Sequence, residues 1–303
     1  MNLLGIRDME AEDIRKLIAL SQDLKTKSKE NQTVPSFAGR SVGMLFLEDS
    51  TRTRVSFEQA ARKLGIHTTS FGMQGSSMVK GESLKDTVLT LKHEGIDALV
   101  MRHRSSGAAV LAATLFEGPV INAGDGMHEH PTQALGDAIT ILSHREKIEG
   151  LTVAIVGDVL HSRVARSNIW LLTKLGAEVR CIGPKTLMPR FPGKLPVSVS
   201  YELHSGLQGA DVVMALRLQK ERMASGLISS NGEYANLYQI NGKSLRCAKP
   251  DCLVMHPGPI NRGVEIDDLT ADGKHSVITE QVENSVYVRM AAFQYAFDSI
   301  SNN

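Results

Sequence analysis

The stretch Ser41–Val55, SVGMLFLEDSTRTRV, contains the local pattern that decides the fold. Ser41–Leu47 is an apolar run of strand length, and from Val55 onward the apolar residues recur at helical spacing. The residues that share one face of this helix are Phe57, Ala60, Ala61 and Leu64. The sequence therefore predicts a strand, a polar turn and a helix in immediate succession.

The polar turn between this strand and helix is Glu48-Asp49-Ser50-Thr51-Arg52-Thr53-Arg54. The first N–H groups of a helix have no intrahelical acceptor, and the helix dipole favours an anion there. Two hydroxyls and an arginine fork beside those N–H groups would form a phosphate cradle. A Ser/Thr helix cap followed by surface arginines explains the same residues equally well, so the segment alone leaves both readings open.

Composition limits the class of protein. A chain of 303 residues exceeds the usual size of one domain, and 42% hydrophobic with 22% charged residues is ordinary for a globular enzyme. With Lys+Arg 34 against Asp+Glu 33, the net charge of +1 predicts neither a nucleic-acid nor a membrane partner. The 3 cysteines form no CxxC pair, and the N-terminus lacks the apolar core of a signal peptide. We therefore expect a cytoplasmic protein.

Strands and helices alternate along the whole chain. The predicted strands are Ser41–Leu47, His67–Phe71, Ala98–Met101, Pro119–Asn122, Leu151–Val156, Val179–Ile182, Val197–Ser200, Asp211–Ala215 and Leu253–Met255. Predicted helices include Asp8–Glu30, Gln133–Leu142, Val164–Leu175 and Glu280–Ile300, the last with Val282, Val286, Met290, Phe293, Phe297 and Ile300 aligned. The polar stretch His144–Gly150 is the predicted domain boundary. This alternation predicts an α/β fold of two doubly wound domains, each a parallel sheet covered by helices.

Reactive side chains cluster in the loops that follow the predicted strands, where ligands bind in parallel sheets. These loops are Ser50–Arg54, Arg102–Arg104, His128–Gln133, Asp158–Arg163, Arg217–Gln219 and His256–Pro259. They hold basic and amide groups with few acids, which suits a doubly anionic ligand. Such groups would act by positioning reactants and stabilising developing negative charge.

Other classes of site fit the sequence poorly. Gly157 follows a strand, but the later glycines of a dinucleotide-binding turn are absent. Gly242-Lys243-Ser244 resembles the end of a P-loop, yet Leu237 occupies the required earlier glycine position. His128, Glu129 and His130 lack the spacing of a metal site, so we predict no metal. Ser105-Ser106 is not the nucleophile turn of a serine hydrolase.

Three separated motifs carry a resemblance that covers nearly the whole chain. They are Ser50-Thr51-Arg52-Thr53-Arg54, His130-Pro131-Thr132-Gln133 and His256-Pro257-Gly258-Pro259. In this order they resemble the aspartate/ornithine transcarbamoylase family. Ornithine-specific members have a His-Cys-Leu-Pro segment near the C-terminal loop, whereas His256–Gly263 here has the aspartate-type pattern.

The resemblance implies a reaction and a domain plan. Carbamoyl phosphate and L-aspartate would give N-carbamoyl-L-aspartate and phosphate, in pyrimidine synthesis, without a cofactor or a metal. Residues 1–143 with 284–303 would bind carbamoyl phosphate, and residues 149–283 would bind aspartate, with interdomain helices joining the two.

The resemblance also implies roles for individual residues. The expected catalytic residues are Arg52, Thr53, Arg102, His130 and Gln133. The expected carbamoyl phosphate site is Ser50, Thr51, Arg52, Thr53, Arg102, His130, Gln133, Pro257 and Gly258, the last two through their backbone carbonyls. The expected aspartate site is Lys80, Arg163, Arg217 and Gln219. Two arginines in the second domain would repel the side-chain ammonium of ornithine.

Ser76 and Lys80 are expected to reach into the active site of a neighbouring subunit, so the resemblance implies a homotrimer with shared active sites. Regulatory chains or a dihydroorotase are partners that it allows. Three other readings stay open: a transcarbamoylase for another acceptor, a non-catalytic scaffold that binds a partner, and an anion-binding module.

Overall fold

The structure of the protein, a computed structural model, describes residues 1–72, 81–190, 192–219, 222–223 and 226–301. The chain divides into two compact units, Met1–Gly136 with Glu283–Asn303, and Asp137–Val282. The division falls within two helices, α5 (Pro131–Leu142) and α10 (Ile278–Ser301). Each unit contains one parallel sheet, as the alternation of strands and helices predicts.

The first unit is built on a sheet of four parallel strands in the order β2-β1-β3-β4. Its elements in chain order are α1 (Ala11–Lys29), β1 (Ser41–Phe46), α2 (Thr51–Lys63), β2 (His67–Gly72), α3 (Leu84–His93), β3 (Ala98–His103), α4 (Ala108–Leu115) and β4 (Val120–Asp125). Buried side chains of β1 and β3 pack against α3 and α4 in one apolar cluster. The N-terminal segment extends this sheet, because Leu3 pairs with Ile121 of β4.

The second unit is built on five parallel strands in the order β7-β6-β5-β8-β9. Its elements are β5 (Thr152–Val156), α6 (Arg163–Lys174), β6 (Glu178–Ile182), β7 (Ser198–Ser200), α7 (Leu203–Leu207), β8 (Val212–Ala215), α8 (Asn231–Tyr238), β9 (Leu253–Met255) and α9 (Asp268–Ala271). Short 3-10 turns occupy Lys185–Leu187, Pro192–Lys194 and Ser244–Cys247. Side chains of β5, β8 and β9 share an apolar cluster with α7 and α8.

The predicted strands are confirmed, and their ends differ from the predicted ones by at most three residues. Four helices escaped prediction: α4, α7, α8 and α9. The α4 sequence AAVLAATL is apolar except for Thr114 and therefore has no polar face to mark a helical period. The other three are only 5, 8 and 4 residues long, which is shorter than the window that shows periodicity.

Two helix predictions need correction. The helix after β1 begins at Thr51, not at Val55, because Ser50 caps it and the first turn consists of polar residues. In the C-terminal helix, the periodicity predicts that Val282 shares a buried face with Met290, Phe293 and Phe297, but its side chain is 50% exposed. The helix is buried on several sides between Asn284 and Phe297, so a single-face periodicity does not describe it. The Ile300 side chain lies outside the described residues.

None of the helices in the described ranges is long and apolar enough to cross a membrane.

Phe57 of α2 connects the first sheet's helices to the C-terminal helix. Its buried ring lies 5.7 Å from the Phe293 ring in an edge-on arrangement, and the Arg289 guanidinium lies 4.9 Å from its centroid. Phe57→Ala should lower the free energy of unfolding by about 3–5 kcal/mol, because it leaves a cavity and removes these contacts. Urea unfolding of the purified protein measures this change.

Val55→Ala on the same helix is the matched control, since that side chain is 44% exposed and its loss should cost no more than about 0.5 kcal/mol. A Phe57→Ala change as small as that of the control would contradict the packing described here.

Candidate active site

The start of α2 has the geometry of a capped helix N-terminus. The Ser50 hydroxyl accepts a hydrogen bond from Thr53 N at 3.3 Å, and Ser50 itself has an extended backbone. Thr51 and Arg52 are exposed, whereas Thr53 is buried. Hydroxyl and guanidinium groups therefore lie at the positive end of a helix of 13 residues.

Arg102 is the next-to-last residue of β3 and lies beside the end of β1. It pairs in register with Phe46, and its backbone carbonyl accepts a hydrogen bond from Leu47 N at 2.8 Å. The side chain is 11% exposed; its Nη2 lies 3.1 Å from Glu48 Oε1 and its Nη1 donates to Ala123 O at 3.2 Å. Arg102 thus contacts Glu48, which follows β1, and Ala123, which belongs to β4. Glu48, left out of the predicted site, is its ion-pair partner.

The loop after β4 is organised by the buried carboxylate of Asp125. This carboxylate accepts from Gly107 N at 2.6 Å, Glu129 N at 3.1 Å and Asn122 Nδ2 at 2.8 Å, and His128 Nδ1 lies 3.1 Å away. Burial raises the pKa of the Asp125 carboxyl, but hydrogen bonds from His128, Asn122 and Gly107 outweigh it, so the pKa lies below its ordinary value. Asp125 therefore ties the β3–α4 loop to the β4–α5 loop.

His130 and Gln133 lie at the start of α5, and both are buried. The preceding residue, Glu129, is buried as well and accepts hydrogen bonds from Ile6 N at 3.1 Å and Arg7 N at 3.0 Å. The N-terminal segment thus supports the loop that carries His130.

Because β1, β3 and β4 are adjacent and parallel, the loops with Ser50–Thr53, Arg102 and His130–Gln133 lie at one edge of the first sheet.

In the second unit, Asp158 connects the loops after β5 and β8. Its carboxylate accepts from His161 N at 3.2 Å and from Gln219 N at 3.3 Å, and His161 Nδ1 lies 2.8 Å away. Burial raises the pKa of this carboxyl despite the hydrogen bonds from His161. The two loops are therefore held together at the carboxyl edge of the second sheet.

Three predicted aspartate-site residues belong to these loops, and Gln219 contacts Asp158 through its backbone N–H. Arg163 is the first residue of α6, behind the Ser162 cap, and is buried. Arg217 follows β8, and its Nη2 lies 3.4 Å from Gln219 Oε1. Arg222 donates to His161 O at 3.4 Å, which adds a further link between the two loops.

Pro257 and Gly258 follow β9, the neighbour of β8, and both are partly buried. Gly258 has a φ of 67°, a left-handed conformation that glycine adopts without a steric penalty. Gly258 N donates to His256 Nδ1 at 2.8 Å. Ser76 and Lys80 lie outside the described residues.

The structure also shows supporting residues that the sequence did not reveal: Asp125, Glu129, Asp158, Glu265 and Gln281. Glu265 bonds to residues 4 and 9 positions earlier in the chain, whereas the other four each form a hydrogen bond to a segment distant in sequence, 123 residues away for Glu129 and 144 for Gln281. No local motif signals such contacts.

Together these features define a class: a two-unit parallel α/β protein whose strand-end loops carry arginines, hydroxyls and amides suited to anionic ligands. Family models match both units. The carbamoyl-P binding domain of aspartate/ornithine carbamoyltransferase matches residues 1–143, and the Asp/Orn binding domain matches residues 149–296. The chain belongs to the aspartate/ornithine carbamoyltransferase family.

Proteins of similar sequence align over almost the full length of this chain. The aspartate carbamoyltransferase catalytic subunit of Rhodopseudomonas palustris (strain HaA2) is 50% identical over 99% of this chain and 95% of its own. That of Moorella thermoacetica is 50% identical over 96% of this chain and 95% of its own.

Solved structures agree with this assignment. Aspartate transcarbamoylase from Trypanosoma cruzi, in complex with N-(phosphonacetyl)-L-aspartic acid, superposes with a TM-score of 0.87 at 32% identity, covering 96% of this chain and 94% of that one. Ornithine carbamoyltransferase from Pyrococcus furiosus has the same TM-score of 0.87 at 28% identity, with coverages of 96% and 95%. The fold is therefore shared by both acceptor types.

The Asp125 carboxylate gives a pH prediction. Its pKa is depressed in the folded protein, so its stabilisation is present above the ordinary aspartate pKa of about 4 and is lost as pH falls through the lower folded value. Asp125→Asn should lower the free energy of unfolding by about 1–3 kcal/mol at pH 7, because an amide cannot accept from all of these donors. Unfolding measured from pH 7 down to pH 3 should show the difference shrinking.

Asp49→Asn is the control, because Asp49 is exposed and its substitution should change the free energy of unfolding at pH 7 by no more than about 0.5 kcal/mol. A difference for Asp125→Asn that grows toward acid pH would contradict the depressed pKa.

Proposed function

We propose that this chain catalyses transfer of the carbamoyl group from carbamoyl phosphate to L-aspartate, giving N-carbamoyl-L-aspartate and phosphate in de novo pyrimidine synthesis. The observation that carries the proposal is 50% identity over 99% of the chain to a protein named aspartate carbamoyltransferase catalytic subunit. The charge and geometry of the two loop clusters support it.

The phosphate would bind at the start of α2. Ser50, Thr51 and Thr53 offer hydroxyl and backbone N–H donors, and the helix dipole adds positive potential. Arg52 on the same turn and Arg102 on β3 supply guanidinium groups, which bind phosphate through paired donors. All of these groups belong to the first unit.

The carbamoyl group would be activated by Thr53, Arg102 and His130, acting on its carbonyl oxygen. As the aspartate amine attacks, a C–N bond forms and the oxygen gains negative charge, which these donors stabilise. The C–O bond to phosphate then breaks, and phosphate departs with the electron pair while the amine loses a proton. Because phosphate is already a good leaving group, the enzyme needs no nucleophile, cofactor or metal of its own. Gln133 and the carbonyls of Pro257 and Gly258 would bind the carbamoyl amino group.

The two aspartate carboxylates would bind Arg163 and Arg217, with Gln219 beside them and Lys80 from a neighbouring subunit. Support comes from the Asp158 hydrogen bonds, which hold the loops of Arg163 and Gln219 together. A pair of arginines matches two carboxylates and would repel the ammonium group of ornithine. Aspartate is therefore the proposed acceptor.

A homotrimer with shared active sites is part of the proposal. Strand β2 lies at the edge of its sheet, its residues from His67 to Ser70 are exposed, and it precedes Ser76 and Lys80 in the sequence. An exposed strand edge is a surface that proteins usually cover. Cytoplasmic location is proposed as well, since Cys181, Cys247 and Cys252 are all free thiols. Regulatory chains or a dihydroorotase are further candidate partners; no nucleic-acid or membrane partner is proposed.

The decisive assay measures carbamoylation of aspartate by the purified protein, with ornithine as the alternative acceptor. We expect turnover with aspartate only. Arg52→Ala should reduce kcat/KM for carbamoyl phosphate by about 100-fold or more, because it removes a charged donor from the phosphate and the transition state.

Arg62→Ala, in the last turn of the same helix, removes the same charge from an exposed position and should leave turnover unchanged. Turnover with ornithine alone would refute the proposed acceptor. Absence of turnover with either acceptor would favour a scaffold or anion-binding role.

Shared active sites predict complementation between inactive variants. Arg52→Ala and Lys80→Ala trimers, dissociated together and reassociated, should regain activity, because some sites in the hybrids combine intact Arg52 with intact Lys80 from different subunits. Arg52→Ala mixed with Arg102→Ala is the control and should regain none, since both residues belong to the same half of the site. Equal failure of both mixtures would show that Lys80 acts within its own chain.

A further inference from the structure

The loop after β9, residues 256–261, is held by buried side chains at three of its backbone N–H groups. His256 N donates to Gln281 Oε1 at 2.9 Å, and Gly258 N donates to His256 Nδ1 at 2.8 Å. Asn261 N donates to Glu265 Oε1 at 2.6 Å. His256, Glu265 and Gln281 are all at most 2% exposed. Such anchoring fixes the orientation of the peptide planes between the anchors.

These contacts also define the state of the His256 ring. A backbone N–H can only donate, so Nδ1 of His256 must carry the lone pair that accepts from Gly258 N. The proton of the neutral ring is then on Nε2, which lies 3.1 Å from Glu265 Oε1 and donates to it. Glu265 Oε1 therefore accepts hydrogen bonds from both the His256 ring and Asn261 N.

Gln281 connects this loop to the helices of the second unit. Its Nε2 donates to Asp137 Oδ1 at 2.8 Å, and Asp137 Oδ2 accepts from Asn168 Nδ2 at 2.8 Å. Asp137 belongs to α5 and Asn168 to α6, and both are buried. The chain of hydrogen bonds thus starts at two helices and ends at Gly258.

A packing role alone would be met by apolar side chains of similar volume, which carry no desolvation cost. The side chains of His256, Glu265 and Gln281 instead accept hydrogen bonds from the segment that contains Pro257 and Gly258. Neither residue has a polar side-chain atom, so their backbone carbonyls are the groups that they can offer to a polar ligand. The Pro257 carbonyl shares its peptide plane with Gly258 N, which His256 Nδ1 holds, and the Gly258 carbonyl lies between that plane and the anchored Asn261 N.

We propose that Glu265, His256 and Gln281 are positioning residues that set the direction of the Pro257 and Gly258 carbonyls toward the substrates. The inference rests on the proposed function, in which those carbonyls bind the carbamoyl amino group. The three side chains act through the loop and do not touch the reacting atoms.

The primary test compares Glu265→Gln with Glu265→Leu. Glutamine keeps an oxygen that can accept from both His256 Nε2 and Asn261 N, because both contacts use the same Oε1. Glu265→Gln should therefore keep kcat/KM for carbamoyl phosphate within about threefold, whereas Glu265→Leu should lower it by about 100-fold, the effect of misplacing a binding group by roughly 1 Å. The inhibition constant of inorganic phosphate should stay unchanged in both, since phosphate contacts the first unit.

A second pair keeps the test valid if Glu265→Leu does not fold. His256→Asn supplies a side-chain oxygen that can accept from Gly258 N, whereas His256→Ala supplies no acceptor. We therefore expect kcat/KM to be about tenfold or more higher in His256→Asn than in His256→Ala. Asp211→Asn is the control, because Asp211 accepts from Thr152 N at the opposite end of the second sheet. Equal activity within each pair, in folded proteins, would overturn the proposal.

A measurement without turnover separates this inference from the proposed function. Histidine 15N chemical shifts of the unliganded protein, with His256→Asn for assignment, should show a neutral His256 ring protonated at Nε2, and Glu265→Leu should alter that signal. A ring protonated at Nδ1 would overturn the inference even in an active enzyme. The expected tautomer in a protein without carbamoyl transfer would instead refute the proposed function alone.

Discussion

The parallel direction of every paired strand is the constraint on which the candidate site depends. In parallel sheets all strand C-termini point to one edge, and the connecting helices occupy the faces. The register Phe46–Arg102 and the bond from Leu47 N to Arg102 O place the end of β3 beside the loop that contains Ser50. In the second sheet the same arrangement places Asp158 within hydrogen-bonding distance of Gln219 N. An antiparallel strand in either position would carry its polar loop to the opposite edge.

A second constraint comes from charge. Loops rich in arginine and histidine repel one another unless acids lie among them, and a buried acid needs hydrogen-bond donors. Here the acids are used to hold loops: Glu48 pairs with Arg102, and Asp125 accepts backbone N–H groups from two loops. The net charge of +1 is therefore compatible with local clusters of basic residues, because acids such as Glu48 and Asp125 lie in or beside the same loops.

Most of the fold was predictable from the sequence because strands in these sheets are short apolar runs with clear ends. Ser41–Phe46, which follows Arg40, and Leu253–Met255, which ends before His256, are examples. The helix Ala108–Leu115 escaped because a helix that is apolar except for Thr114 shows no period. Val282 was misassigned for the opposite reason: it fits a helical period, but its side chain is 50% exposed between the buried residues Gln281 and Asn284.

The candidate site was predictable to the extent that its groups lie in contiguous motifs. Ser50–Arg54 and His130–Gln133 are such motifs, and the structure places them at the starts of α2 and α5. The residues that orient these loops are not predictable in this way. Glu129 contacts Ile6 N across 123 residues, and Gln281 contacts Asp137 across 144, so only the folded chain relates them.

The two units solve the same physical problem in the same way. A loop at a strand end has few backbone partners of its own, and its N–H groups need acceptors if the loop is to keep one conformation. In the first unit Asp125 accepts from Gly107 N and Glu129 N, and in the second Asp158 accepts from His161 N and Gln219 N. A carboxylate suits this role because two oxygens can receive donors from two loops at once.

The consequence for function follows from geometry. Groups that bind an anion must be held in place before the anion arrives, since ordering them on binding would reduce affinity and rate. The buried carboxylates of Asp125 and Asp158 supply such order to these loops through hydrogen bonds from their backbone N–H groups. We therefore expect activity in this fold to depend on two sets of residues: cations and hydroxyls that form recognisable motifs, and acids beside them that leave no local pattern in the sequence.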